Sequence, residues 1–123
     1  MPALNKNSIT RLATVNVDMN SGTAQTLYTV PAGLSCVISH VVVRNASTSL
    51  DTASYSFGFT GAAYADVIAD AVHNELTGAT LFIILIAKAG AKLGAAADIF
   101  KLLVNTLQGA AATATVEVFG YLI

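Results

Sequence analysis

Charge is what this sequence has least of. Asp, Glu, Lys and Arg make up 11% of its 123 residues, against 54% hydrophobic; a soluble domain carries about 25% charged residues. A domain of this size leaves a large share of its surface outside the core, and here the charges are too few to cover it. Either Ser, Thr, Asn and small Ala/Gly positions do the solvating, or much of the surface is hidden against other subunits. The second reading predicts an assembly protein. The basic residues (Lys6, Arg11, Arg44, Lys88, Lys92, Lys101) are scattered and the net charge is −1, so the electrostatic footprint of a nucleic-acid or anionic-membrane binder is missing. A single cysteine, Cys36, excludes an intrachain disulfide. In the run Cys36-Val37-Ile38 it reads as a small buried hydrophobe, not a reactive thiol.

Long apolar runs are also absent. The longest, Ala79 to Ala87, is broken by Thr80 and closed by Lys88, well short of the roughly 20 residues of a membrane helix. Membrane-barrel strands would need paired aromatic girdles, which do not appear. The start, Met1 to Ser8, is polar and has no apolar signal-peptide core. The expectation is a soluble protein made in the cytoplasm, with no membrane or nucleic-acid partner.

What is present is β patterning. Ile9 to Val17 alternates, with Arg11, Ala13, Val15 and Val17 on one face. Ala24 to Val30 is a Thr-rich strand that stops at Pro31-Ala32-Gly33. Leu34 to Asn45 is long and β-branched. In Tyr55-Ser56-Phe57-Gly58-Phe59, three aromatics share a face. Asp98 to Thr106 is ambiguous: Ile99, Leu102, Leu103 and Asn105 fit a helical spacing, yet Lys101, Leu103 and Asn105 alternate with Phe100, Leu102 and Val104, and the short length and neighbouring strands favour a strand. Thr113 to Leu122 sets Val116 and Val118 against Thr115, Glu117, Phe119 and Tyr121, and its apolar ending predicts a terminus that is tied down. Residues 63–76 change period: Ile68, Ala71, Val72 and Leu76 recur at helical spacing and Thr77-Gly78 closes the segment, predicting one short helix. Leu81 to Ala87 is apolar on both faces. A strand with no polar face must lie under a second layer, and an exposed one is an aggregation hazard. Leu81, Phe82, Ile83, Ile84, Leu85 and Ile86 are therefore expected in a central, covered strand, against the helix, a loop or another subunit. The whole predicts one all-β domain over residues 1–123: a jelly-roll-like β-sandwich with one short helix.

Candidates for chemistry are sparse. His40 stands mid-strand with no second ligand nearby. Asp66, Asp70 and His73 would stack on one face of a helix as a weak divalent-metal site, or simply form its solvated face, which is the favoured reading. Asp18-Met19-Asn20-Ser21-Gly22 lacks the alternating carboxylates and closing Glu of a calcium loop. No serine sits in a nucleophile elbow, and seven scattered acids are a thin supply for paired-carboxylate catalysis. The expectation is no enzyme, no metal and no cofactor. Of the aromatics, Tyr28 and Tyr55 are the candidates for exposure, since each hydroxyl needs a partner or water. No tryptophan supports them as a sugar platform.

Leu27-Tyr28-Thr29-Val30-Pro31-Ala32-Gly33, followed by Val37-Ile38-Ser39-His40-Val41-Val42-Val43-Arg44-Asn45, resembles a pattern in small structural proteins of tailed bacteriophages. The end, Ala112 to Leu122, is similar to their C-termini. The resemblance covers about half the chain and implies a virion component, best matched in size and low charge by a capsid decoration (cement) protein. Such proteins are β-sandwiches that assemble as trimers or dimers on the capsid exterior. A homo-oligomer, with a trimer favoured, bound to the major capsid protein or another virion protein, is what it implies here; no catalytic residues come with it. The alternative is a receptor- or glycan-binding module of a fibre or tail tip. Free aromatic rings would separate the two.

Overall fold

The computed structural model describes residues 8–60 and 64–123. Among these residues eight strands form: β1 (Thr10–Asp18), β2 (Gln25–Thr29), β3 (Cys36–Arg44), β4 (Ser54–Gly58), β5 (Ile68–Val72), β6 (Phe82–Ile86), β7 (Ile99–Thr106) and β8 (Thr113–Leu122). They make two antiparallel sheets, ordered β1-β8-β3-β6 and β2-β7-β4-β5. The pairing is nested: β1 with β8, β2 with β7, β3 with β6, β4 with β5.

Period-2 alternation explains the core. Tyr55, Phe57 and, just beyond β4, Phe59 point inward with Phe100, Leu102 and Val104 of β7, and they meet Val41, Val43, Val116 and Val118 of the other sheet. The rings interlock: Phe57 lies 6.2 Å from Phe100, Phe59 lies 5.2 Å from Phe100, and Tyr55 meets Phe57 edge-on at 6.0 Å. Such offset and edge contacts suit aromatic quadrupoles. Gly120 sits at the register shift between β3 and β8, where a Cβ would run into the Val37 carbonyl. Ile123 exchanges both backbone hydrogen bonds with Ser35, at 2.8 and 2.9 Å, the tie-down that the apolar ending predicts.

Three expectations need correction. No helix forms among the described residues of 63–76 (residue 63 itself lies outside them). The segment supplies β5, pairing Ser54↔Val72, Tyr55↔Ala71 and Phe57↔Ile68. Of the helical-period set only Ile68 and Leu76 are buried. As a strand the segment satisfies the backbone groups along that side of β4, which a helix there would leave unpaired. Secondly, β6 is not central: it is an edge strand, paired with β3 alone. Its inward residues Ile83 and Leu85 pack against the core, while Phe82, Ile84 and Ile86 are 62%, 53% and 74% exposed. Thirdly, a bulge between Arg11 and Ala13 breaks the alternation of β1 and turns Arg11 away from Ala13, Val15 and Val17.

Candidate assembly surface

The outer face of the β1-β8-β3-β6 sheet is built by cross-strand rows. One row reads Phe82, Arg44, Thr115, Asn16; the next Ile84, Val42, Glu117, Thr14; the third Ile86, His40, Phe119, Arg11. Crossing from β6 to β1, the face therefore changes from fully apolar to ionic and polar. At the apolar side stand Phe82, Ile84 and Ile86, with Leu81 (44% exposed) just before the strand. Among the described residues this is the densest run of exposed large hydrophobic side chains, four of them within six residues. Scattered apolar residues on a surface are ordinary, but a contiguous group marks an interaction site.

The middle of the face is held by ions. Arg44 Nε donates to Glu117 Oε1 at 2.9 Å and Arg11 Nη1 donates to Oε2 at 3.0 Å. The hydrogen bond from Arg44, with the second from Arg11, holds the Glu117 carboxyl below its ordinary range, against partial burial acting the other way. Next to this clamp, the His40 ring stacks on Phe119 with centroids 4.8 Å apart and 6° between planes, and its Nδ1 lies 3.1 Å from Ser39 Oγ. Thr115 Oγ1 donates to Asn16 Oδ1 at 2.9 Å. These contacts fix the side chains beside the apolar strip. The sequence reading missed both the Glu117 clamp and the His40–Phe119 stack. The signal was there in the alternation of β8, which sets Glu117 and Phe119 on one face, but the partners come from β1 and β3 through long-range register.

The other sequence candidates do not converge. Asp66 accepts from the backbone of Phe59 (2.7 Å) and Thr60 (3.1 Å) and from Thr60 Oγ1 (2.7 Å). Asp70 accepts from Asn105 Nδ2 at 2.9 Å. His73 instead leans on the Tyr55 ring, centroids 5.2 Å apart; burial lowers its pKa, opposed by Glu75 and Asp70. Without a helix the three share no face. Among the described residues no group of three or more His, Cys, Asp or Glu side chains is arranged to hold a metal ion. Cys36 is buried in the sandwich, and burial pushes its thiol up to about 11, the opposite of nucleophile activation.

Of the two tyrosines expected at the surface, Tyr28 is half-buried against the core, and burial, then the nearby Cys36, raises its pKa. Tyr55 is fully buried, with its hydroxyl pKa raised by burial first and Glu75 second. Alternation with Phe57 and Phe59 carries the ring inward and overrides the preference of its hydroxyl for water.

No family model matches the sequence, and no curated protein matches it. The fold is similar to chains in two solved structures. One is the acidic stable capsid structure of Helicobacter pylori bacteriophage KHP30: 14% identity, TM-score 0.63, covering 95% of this chain and 93% of that one. The other is the cyanophage Pam1 capsid asymmetric unit: 16% identity, TM-score 0.56, covering 98% of this chain and 99% of that one.

Proposed function

We propose that this chain is a structural protein of a bacteriophage virion, and within that class a capsid decoration (cement) protein that works by adhesion, without catalysis. The observation that carries the reading is the apolar outer strip of β6 beside an ionic clamp, in a chain whose fold aligns nearly end to end with chains of two phage capsid structures. The nested strand order is read as a jelly roll, in which two sheets are wound from one antiparallel ribbon. Its place in this proposal is the capsid exterior, after synthesis in the host cytoplasm. Its partners are copies of itself, three being the number favoured from the sequence, and the major capsid protein or another virion protein.

Adhesion needs only surface. At about 25 cal/mol per Å², a standard interface of about 1,600 Å² supplies a large gross hydrophobic term, offset by the cost of association. Many copies on one shell then act together through multivalency. The glycan-binding alternative loses one of its two candidate rings, because Tyr55 is buried. Cryo-EM of particles carrying the protein is the test. Density for this eight-stranded sandwich, repeated over the outside of the shell, is the expected result. Copies found only on a tail or fibre would overturn the cement assignment.

A further inference from the structure

The two sheets have four edge strands, and three of them are blunted. β1 carries an extra residue opposite β8 between Arg11 and Ala13, β2 one opposite β7 between Thr26 and Tyr28, and β5 one opposite β4 between Ile68 and Ala71. Each bulge lies on the edge strand itself, where it twists the edge away from other strands. β1 adds Arg11 and Asp18, and β5 adds Asp70. β6 has none of these guards. Its register with β3 runs unbroken from His40↔Ile86 to Arg44↔Phe82, and no charge or proline occurs from Ala79 to Ala87. An unbulged, apolar edge of this kind is a template for another strand.

The geometry points to β6 pairing antiparallel with β6 of a second copy about a two-fold axis at Ile84, joining two four-stranded sheets into one of eight strands. This deepens the assembly reading proposed above and rests on it. Charge favours a second copy as the occupant. Self-pairing sets every residue against its own kind or its symmetry mate, so a charged edge would repel itself, whereas β6 has no charge to oppose. Residues directly opposite across an antiparallel pair share a face, so outward residues must meet outward residues. Centring on Ile84 satisfies this for all five: Ile84 faces Ile84, and Phe82 faces Ile86 of the second copy. A head-to-tail ring of three would bring β6 instead to another edge, and each of those is bulged. The contact therefore joins copies in pairs, in place of the three favoured from the sequence. It also merges the two outward strips into one apolar area on a single side, suited to lie on the shell.

Sedimentation equilibrium of the unmodified chain at micromolar concentration is expected to give a dimer; a monomer alone, or a trimer, would overturn the pairing. Cysteine cross-linking reads the register. Cys36 can stay, since it is buried. Ile84→Cys places the two Cα atoms about 4.5–5.5 Å apart, inside the roughly 4.4–6.8 Å range that a disulfide spans, and should give a covalent dimer on mild oxidation. The double variant Phe82→Cys with Ile86→Cys should do the same. Phe82→Cys alone should not, because the two copies of residue 82 lie about 13 Å apart at 3.3–3.4 Å per residue. Cross-linking of Phe82→Cys as readily as Ile84→Cys would refute the register. A chain that stays monomeric yet decorates particles would keep the adhesive function and remove the pairing; a dimer missing from the shell would do the reverse.

Discussion

At the scale of single residues, Glu117 is the most informative. Its carboxyl is held between Arg44 and Arg11, and its pKa is lowered in the folded chain. The linkage sign follows: the stabilisation is fully present above the unfolded carboxylate value, about 4.3 for Glu, and is lost as pH falls through the lower folded value. Both arginines are substantially exposed, so solvent screens the pair and the effect is modest. Glu117→Gln is expected to cost about 0.5–1 kcal/mol at neutral pH, and urea titrations of the two proteins should converge as the solution is acidified to pH 3. Tyr55 gives a second prediction. Its hydroxyl is buried and finds no hydrogen-bond partner among the described residues. Removing an unsatisfied polar group relieves a desolvation cost, so Tyr55→Phe should leave chemical-denaturation stability unchanged or raised. Tyr55→Ala should cost about 3–5 kcal/mol.

Among the elements, most strands were legible, because alternating residues with one buried face announce themselves. The clearest is the β4 region, where Tyr55, Phe57 and Phe59 all point into the core; β7, whose Ile99, Leu102, Leu103 and Asn105 also fit a helical spacing, resolves as a strand with Phe100, Leu102 and Val104 buried. β5 was not legible, for a physical reason: only Ile68 of its five residues is buried. An edge strand with one core contact has no alternation to show, and the chance spacing of Ile68, Ala71, Val72 and Leu76 imitated a helix. For β6, the two apolar faces were plain in the sequence. Its edge position was not, since strand order is set by partners far along the chain. The same distinction yields a paired prediction. Phe100→Ala, in the core, should cost about 3–5 kcal/mol. Phe82→Ala, on the outer strip, should change the stability of the separated monomer by no more than about 0.5 kcal/mol, while measurably weakening self-association in sedimentation.

For the whole molecule, adhesion and chemistry make different demands. An adhesive protein needs a stiff fold and a sticky face; a catalyst needs titratable groups that tune one another. The histidines here are occupied apart from each other, His40 on Phe119 and His73 on Tyr55. The double change His40→Gln with His73→Gln should therefore leave saturation binding to capsid shells intact, apart from packing costs seen in thermal melting. Loss of binding by a folded double variant, checked by far-UV circular dichroism, would show that the adhesive account is incomplete.

The nested pairing has a consequence for how the chain is made. β1 finds its sheet partner only in β8, with Thr10 opposite Gly120, so a ribosome must have made the chain through β8 before the β1–β8 ladder can close. Contacts this distant along the sequence cost loop entropy in advance of any gain, which places such topologies among the slow folders, on a scale of milliseconds to seconds. Throughout that interval β6 has already emerged, with an apolar sequence and no closed sandwich behind it. The same strand that suits the finished protein to adhesion is thus its main danger during synthesis, when a neighbouring nascent chain offers an identical edge.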